Sequence, residues 1–244
     1  FNWGTDIYRA RQTVNEKMVA MGDGLPEGIT PVMAPQSSIM GEILFVSMQA
    51  GDTTGMMELR TLADWVVKPA VLATGGVAQV TVIGGDVKEY QVLADAAKMD
   101  AYGVTMGQLA DAVAGLSRNS TGGVVREHGN EYALRGIGRT SDLADMAATL
   151  VKSAGGQPVT VGDVAQVRVG SAVRMGMASH NGQPAIILSI SKQPNINTLD
   201  VTEKIERNLQ DIAKSLPADV HLNTHVFRQA DFIETSVHNV GRAL

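Results

Sequence analysis

NTLDVTEKIERNLQDIAKSLPADVHLNTHVFRQ, residues 197–229, indicates the fold class because residues 5–36, TDIYRARQTVNEKMVAMGDGLPEGITPVMAPQ, carry the same pattern. Each stretch consists of an amphipathic segment, a Leu-Pro break and a short apolar run. Apolar residues recur at helical spacing in both copies: Val201, Ile205, Leu209, Ile212 and Leu216 in one, and Val14, Met18, Met21 and Leu25 in the other. Pro217 and Pro26 are expected to end the two helices at matching places.

A strand is expected after each of these helices. The runs from Val220 to Val226 and from Ile29 to Met33 alternate as half-buried strands do. The second copy also has a leading strand, AIILSI at 185–190, whereas only FNWG precedes the first helix. We therefore expect residue 1 to lie inside a strand. Repeated strand–helix–strand units predict paired α+β subdomains rather than one continuous sheet.

The composition is that of a globular chain. Of the 244 residues, 44% are apolar, which is enough for a hydrophobic core. The net charge of −5 argues against a nucleic-acid partner, and the sequence has no run of basic residues with aromatic residues interspersed. The lack of Cys excludes disulfides and thiolate metal sites. The twelve Met residues either fill the core or supply thioether ligands for soft ions such as Cu(I) and Ag(I).

A further strand–helix–strand unit is predicted between the repeats. ILFVSM (43–48) is expected to be a strand, MELRTLADWVVKPAVLA (57–73) an amphipathic helix, and VAQVTVIGG (77–85) and KEYQVLAD (88–95) a pair of strands. The residues at helical intervals in this helix are Leu59, Leu62, Trp65, Val66 and Pro69.

Turn residues bound this unit. Gly84 and Gly85 lie between the two predicted strands, where glycine reaches positive φ without steric cost. A phosphate-binding loop is not predicted, because no helix follows these glycines and no Lys-Ser/Thr pair completes the motif. Asp95 is expected to cap the turn into AAKMDAY.

Residues 101–170 are Gly-rich and polar, and they are predicted to form a small inserted domain. Thr105 is expected to cap one short helix and Ser141 a second. The Gly pair at 155–156 is expected to form the turn of a hairpin. The chain then returns through SAVRMGMASHNG (171–182) and completes the fold that ILFVSM begins.

Several ordered strings carry a resemblance to a known family. They are LRTLADWVVKPAVLATGGVAQVTVIGGDVKEYQVLAD (59–95), YGVTMGQL (102–109), GQPVTVGDVAQVRVG (156–170), NGQPAIILSISKQPNINTLDVTEKI (181–205) and FRQADFIETSVHNVGRAL (227–244). Together they resemble the first large periplasmic loop of resistance–nodulation–division efflux permeases. The resemblance is strongest to the heavy-metal efflux branch (Czc/Cus type), and it extends over essentially the whole chain.

The resemblance implies an α+β fold with repeated βαβ, ferredoxin-like porter subdomains and a small inserted α+β docking subdomain. Residues 1–37 would be part of the first N-terminal porter subdomain. Residues 38–100 and 171–236 would form the second porter subdomain, with the docking subdomain, 101–170, inserted into it. Residues 237–244 would lead into a transmembrane helix.

The same resemblance implies the function of the parent protein. It would be a proton-driven antiporter of heavy-metal cations, located in the inner membrane of a Gram-negative bacterium and active as a homotrimer. Its partners would be a membrane-fusion adaptor and an outer-membrane channel, and this part would lie in the periplasm. No cofactor is implied. The sequence shows no catalytic constellation, so an enzyme is not predicted.

Members of the family line the substrate cleft with two strands and the returning segment, and alternate strand residues share a face. The corresponding residues here are Glu42, Gln79, Thr81, Ile83, Val173, Met175 and Met177. Leu44 is expected to share the face of Glu42. A carboxylate at the start of an apolar strand is costly to bury unless it meets a cation, so Glu42 is either a ligand for a hard or borderline divalent ion or a surface carboxylate at a strand end.

Met175 is a candidate ligand for a soft metal ion, together with Met177. By the resemblance, copper and silver pumps of this branch place a methionine at the position of Val173, and this departure argues against soft-metal chemistry. Core packing is the alternative for both methionines. His221 and His225 lie about 13 Å apart on one face of a strand, which is too far for one metal ion.

His128, His180 and His238 are isolated and are expected to be polar surface. A multidrug permease is the first alternative function, although its cleft should be rich in Phe and this chain has four. A soluble binding or assembly module derived from such a loop is the second.

Overall fold

The computed structural model describes residues 1–2, 4–21, 24–26, 28–35, 41–116, 120–127, 130–136, 140–154 and 157–243. Two compact units divide the chain. The first consists of Phe1–Thr54, Leu62–Ile83 and Ala178–Leu244, and the second of Gly55–Thr61 and Gly84–Met177. Helices and strands occur in both units, which confirms the α+β class.

The strands, in chain order, are β1 (Glu42–Ala50), β2 (Val77–Ile83), β3 (Lys88–Ala94), β4 (Ser120–Glu127), β5 (Asn130–Gly136), β6 (Leu150–Ala154), β7 (Gln157–Thr160), β8 (Ala165–Ser171), β9 (Ala178–His180), β10 (Gln183–Lys192) and β11 (Val220–Arg228). The α-helices are α1 (Ile7–Ala20), α2 (Met56–Leu62), α3 (Lys68–Leu72), α4 (Ala96–Ala101), α5 (Met106–Gly115), α6 (Leu143–Ala147), α7 (Val161–Val164), α8 (Thr198–Ala213) and α9 (Gln229–Ala243). A π-helical segment, Ala63–Val67, joins α2 to α3.

An antiparallel sheet in the order β11-β1-β10-β2 forms the centre of the first unit, and the short strand β9 pairs with one end of β10. Two of the four main strands precede residues 101–170 and two follow them, so the sheet is assembled across that segment as expected. Each half contributes a strand, a helix and a strand, and the strands of the two halves interleave.

One face of this sheet is apolar and lies against helices. Its fully buried side chains are Ile186, Leu188 and Ile190 from β10 and Leu44, Val46 and Met48 from β1. Helix α3 contacts β2, and α8 contacts β1 and β11. The predicted apolar face of α8 is confirmed, because Val201, Ile205 and Leu209 are buried.

Gly76 allows α8 to approach the end of α3 closely. Its φ of +99° favours glycine, and a Cβ at this position would lie 2.5 Å from the Cγ2 of Val201. Nearby, the Nδ2 of Asn208 donates to the carbonyl of Ala70 at 2.8 Å and to the Oγ1 of Thr74 at 2.9 Å. These contacts fix α8 beside α3.

The helix predicted over 57–73 exists, but its buried residues differ from the predicted set. The buried positions recur every four residues: Leu59, Ala63, Val67 and Val71. In a pure α-helix this spacing drifts by about 40° per step, and a π segment accommodates an extra residue and returns the positions to one face. Trp65, which the sequence placed among the regularly spaced apolar residues, is 78% exposed, and Val66 is 38% exposed.

The predicted pairing of 77–85 with 88–95 is wrong. β2 pairs with β10, and β3 pairs with β8 over seven residues. Gly84 and Gly85 do have positive φ, 85° and 73°, but they direct the chain from one sheet to another instead of closing a hairpin. Joining the large sheet buries Val77 and Val80, and an isolated local hairpin would leave them more exposed.

Three smaller expectations are also corrected. Residue 1 does not lie in a strand, and the run from Ile29 to Met33 has no strand structure, since no strand pairs with it in the described part of the chain. The predicted N-terminal helix is present as α1 but has no buried residue. Asp142, rather than Ser141, caps α6 by accepting from the Ala144 N–H at 2.8 Å.

The second unit has a core of its own. Its buried residues are Met99, Val104, Leu109, Val159, Val161, Val164 and Ala165. Thr105 caps α5 in a capping box with Gln108, and Asp95 caps α4, as predicted. The predicted hairpin is present as β6–β7, and its Gly pair at 155–156 lies outside the described residues.

Asp219 fastens the start of β11 to the loop after β1. Its carboxylate accepts from the Thr54 N–H and from the Thr54 Oγ1, both at 2.8 Å, and its carbonyl accepts from the Gly51 N–H at 2.9 Å. The hydrogen bond from the Thr54 side chain is the main cause that lowers the pKa of Asp219, partial desolvation opposes it, and the Thr54 N–H acts with it. Since the folded-state pKa is the lower one, the carboxylate stabilises the fold above its unfolded pKa, and this contribution is lost as the pH falls through the folded value.

Asp219→Asn is expected to lower the melting temperature at pH 7. The difference from the parent chain should shrink below about pH 4, the ordinary range of an aspartate. Thermal unfolding followed by circular dichroism between pH 7 and 3 measures it. Asp52→Asn, an equal charge change in the same exposed loop, is the matched control and should have little effect. An equal loss from both variants would contradict the role of the Thr54 contacts.

Val67→Ala is expected to destabilise the chain by about 1.5 to 3 kcal/mol, because it removes two methyl groups from a fully buried site. Val66→Ala, at the adjacent and partly exposed position, should cost less than about 1 kcal/mol. Urea unfolding of the two variants gives the comparison. The reverse order would show that the helix lacks the π segment and buries the face that the α-helical spacing predicts.

Candidate functional site

A β-bulge in β1 sets the direction of Glu42. Glu42 pairs with Ser191 and Leu44 pairs with Ile190, so β1 has one extra residue between two pairs that are consecutive on β10. Leu44 therefore lies on the helix-covered face and is fully buried, whereas Glu42 lies opposite Ser191 and is exposed. The expectation that Glu42 and Leu44 share a face is wrong, because the bulge interrupts the period of two.

Glu42 belongs to the opposite side of the sheet, which we call the polar face and define by Glu42, Gln79, Thr81, Ser189 and Ser191. Cross-strand partners point to the same side of a sheet. Ser191 pairs with Glu42 on one side and with Gln79 on the other, and the neighbouring Ser189 pairs with Thr81. Three strands thus bring five oxygen-bearing side chains together in two adjacent rows.

Hydrogen bonds connect the polar face. The Oγ of Ser189 donates to the Oε1 of Glu42 at 3.0 Å, and the Nε2 of Gln79 donates to the Oγ1 of Thr81 at 3.3 Å. Ser189 and Ser191 are each only 7% exposed, whereas Glu42 and Thr81 are exposed. The face therefore presents a carboxylate, hydroxyls and an amide, which are hard oxygen donors, above a rigid central strand.

The sequence predicted part of this arrangement. Gln79, Thr81 and Ile83 follow the period of two along β2, and Ile83, 41% exposed, pairs with Ile187. Ser189 and Ser191 were missed, although the alternation in LSIS, residues 188–191, is a signal that would have found them.

His180 has a partner, contrary to its interpretation as an isolated surface residue. Its Nδ1 lies 2.5 Å from the Oγ of the fully buried Ser47, and its carbonyl accepts from the Nε2 of Gln49 at 3.1 Å. Asn181 and Gly182, both with positive φ, form the turn that brings β9 back along β10. The histidine therefore fastens this hairpin to β1.

Val173, Met175 and Met177 lie in the irregular segment between β8 and β9, within the second unit. Their exposed fractions are 89%, 100% and 82%. The alternative that the two methionines pack in a core is therefore wrong for this structure. Their role as substrate-facing residues, and that of Met175 as a metal ligand, stay predictions.

An ion pair anchors this segment within the second unit. The Nε of Arg174 lies 2.7 Å from the Oδ1 of Asp86, and the second guanidinium contact, to Oδ2, is 3.2 Å. The hydrogen bond that Arg174 donates to Asp86 raises the pKa of Arg174. The guanidinium is held while the neighbouring Met side chains remain in solvent.

A second charge cluster lies at the end of β11, beside the start of β1. Arg228, at the end of β11, contacts Glu206 of α8 at 2.9 Å and Asp231 and Glu234 of α9. The hydrogen bond to Glu206 is the main cause that raises the pKa of Arg228 above the ordinary value of an arginine. His221 and His225 lie on the exposed side of this strand, His238 is exposed, and His128 lies outside the described residues.

Within the described ranges, no group of three or more His, Cys, Asp or Glu side chains is arranged to hold a metal ion. Among the helices described, none has both the length and the hydropathy that crossing a bilayer requires.

The fold is similar to that of a solved heavy metal efflux pump (crystal form II). The TM-score is 0.87 at 25% identity, and the match covers 100% of this chain and 24% of that one. A model of the AcrB/AcrD/AcrF family matches residues 1–244, and the chain belongs to this family.

Curated relatives agree with this result. The chain is 29% identical over 252 residues to the cobalt-zinc-cadmium resistance protein CzcA of Cupriavidus metallidurans, covering 100% of the chain and 24% of that protein. It is 30% identical to the nickel-cobalt-cadmium resistance protein NccA of Alcaligenes xylosoxydans xylosoxydans, with 90% of the chain and 23% of that protein covered. It is 29% identical to the cation efflux system protein CusA of Escherichia coli K12, with 100% and 24% covered. The chain therefore spans about a quarter of the length of these relatives.

Met175 and Met177 are expected to oxidise to the sulfoxide well before the fully buried Met48 when the folded chain meets dilute hydrogen peroxide, because thioether oxidation follows exposure. Peptide mass spectrometry over a time course gives the rates, and an unfolded sample should show similar rates at all three residues. Protection of Met175 equal to that of Met48 would contradict the exposed segment and restore the packed alternative.

Proposed function

We propose that this chain is the periplasmic porter and docking part of a proton-driven inner-membrane efflux transporter of the resistance–nodulation–division type, and that the whole transporter exports heavy-metal cations. Support comes from relatives named for cobalt, zinc, cadmium and nickel resistance, two of which match the chain over 90% or more of its length.

The observation that carries the proposal is the position of Glu42 on the polar face. Its carboxylate shares this face with Gln79 and Thr81, two residues expected to line the cleft, with the serines of β10 between them, instead of lying in the apolar layer with Leu44. Carboxylate and other oxygen donors suit hard and borderline divalent ions better than Cu(I) or Ag(I), which prefer thioethers. We therefore propose Glu42 as a ligand for a divalent ion, with further ligands supplied by parts of the transporter outside this chain.

The proposed division of labour follows the resemblance. Residues 38–100 and 171–236 would be the second porter subdomain, 101–170 the docking subdomain, and 1–37 part of the first porter subdomain. The transporter would work as a homotrimer with a membrane-fusion adaptor and an outer-membrane channel. Helix α1, which buries no residue in this chain, is consistent with a subdomain whose remaining strands come from elsewhere in the protein.

Glu42→Gln in the full-length transporter is expected to reduce protection of a pump-deleted, metal-sensitive bacterium against zinc, cobalt, nickel or cadmium. Removing the charge while keeping the shape should lower the tolerated metal concentration by about tenfold, the equivalent of about 1.4 kcal/mol of lost cation binding. Growth across a metal series measures the effect.

Glu89→Gln, an exposed carboxylate on β3, is the matched control and should leave protection unchanged. A panel of lipophilic drugs is tested in the same strain. Protection against the drugs and against no metal ion would overturn the proposal in favour of the multidrug branch.

A further inference from the structure

We propose that Ser189 is a positioning residue that fixes the carboxylate of Glu42 for cation capture. The inference rests on the proposed function, because it names a residue that acts through the proposed ligand. Its basis is the 3.0 Å hydrogen bond from the Ser189 Oγ to the Glu42 Oε1 and the location of the two residues on different strands.

Ser189 is suited to this task because strand pairing holds its backbone on both sides. It lies in β10, which is paired on both sides, between Phe45 of β1 and Thr81 of β2. Its side chain is 7% exposed and has a single rotatable bond to its hydroxyl oxygen. The donor therefore occupies a fixed point on the polar face.

Glu42 needs such a partner because of where the bulge leaves it. It is the first residue of β1, it is exposed, and glutamate loses much conformational entropy when its side chain is held in one position. The hydrogen bond from Ser189 engages Oε1 and leaves Oε2 available to a cation. A carboxylate that is already ordered binds a cation without a further ordering cost, which is the general advantage of preorganisation.

Ser191 provides a comparison within the same strand. It has the same residue type, the same 7% exposure and the same face, and it lies directly opposite Glu42 in the register. The hydrogen bond to Glu42 nevertheless comes from Ser189. A general effect of removing a buried hydroxyl from β10 should appear at both positions, whereas positioning of Glu42 should appear only at Ser189.

The test measures zinc export by the full-length transporter in reconstituted vesicles as a function of zinc concentration. Ser189→Ala is expected to raise the apparent KM by about threefold to tenfold, as for loss of a typical hydrogen bond, with the maximal rate within about twofold. Ser189→Thr keeps the hydroxyl and should restore the KM. Ser191→Ala should stay close to the parent. If Ser189→Ala is poorly folded, Ser189→Cys keeps the volume with a weak donor and should show the same rise in KM.

A double-mutant cycle, with Ser189→Ala made also in the Glu42→Gln background, distinguishes failure of the positioning role from failure of the proposed function. If Ser189 acts through Glu42, adding Ser189→Ala to Glu42→Gln should change the KM less than it does in the parent. An equal change in both backgrounds, or an equal effect of Ser191→Ala, would overturn the positioning role while leaving the metal-export function intact. No zinc, cobalt, nickel or cadmium export by the parent transporter would overturn the proposed function, and this inference with it.

Discussion

The pairing of β10 with β1 and β2 is the interaction on which the rest of the first unit depends. It joins residues that are more than 100 positions apart in the chain, and all residues of the second unit lie between β1 and β10 in the sequence. Closing so long a loop costs only slightly more free energy than closing a short one, because the entropy lost on loop closure grows with the logarithm of the number of residues. The buried row Ile186, Leu188 and Ile190 supplies the apolar contact that offsets this cost, and it places the alternate residues, Ser189 and Ser191, on the other side of the strand.

One inserted residue then determines what the polar face contains. Without the bulge, the period of two would place Glu42 beside Leu44 in the apolar layer, where an unpaired carboxylate would be strongly unfavourable. With the bulge, the carboxylate of Glu42 lies on the same face as the serines of β10 and accepts a hydrogen bond from the hydroxyl of Ser189. The fold and the candidate site are therefore linked through a local irregularity in one strand, and regular strand geometry would have produced the fold without the site.

Sequence patterns predicted those features that depend on local chemistry or on strict periodicity. The caps at Thr105 and Asp95, the buried face of α8 and the strand positions of Gln79 and Thr81 all belong to this group. Features decided by non-local pairing were not predictable from the same patterns. The partner of β2 depends on where apolar area is best buried, and the burial of Val67 in place of Trp65 depends on a π segment that no residue pattern announces.

The two copies of the repeat show why periodicity alone does not make a strand. Val220–Arg228 and the run from Ile29 to Met33 have similar alternation, yet only the first is a strand, because β1 lies beside it and satisfies its backbone groups. Likewise α8 and α1 both have apolar residues at helical spacing, but only α8 has a sheet to cover. The first copy has the helix, whose hydrogen bonds are internal, and lacks the strand, whose hydrogen bonds need a neighbour. Amphipathic patterns thus define which face a segment can bury, and the available partner decides whether it is buried.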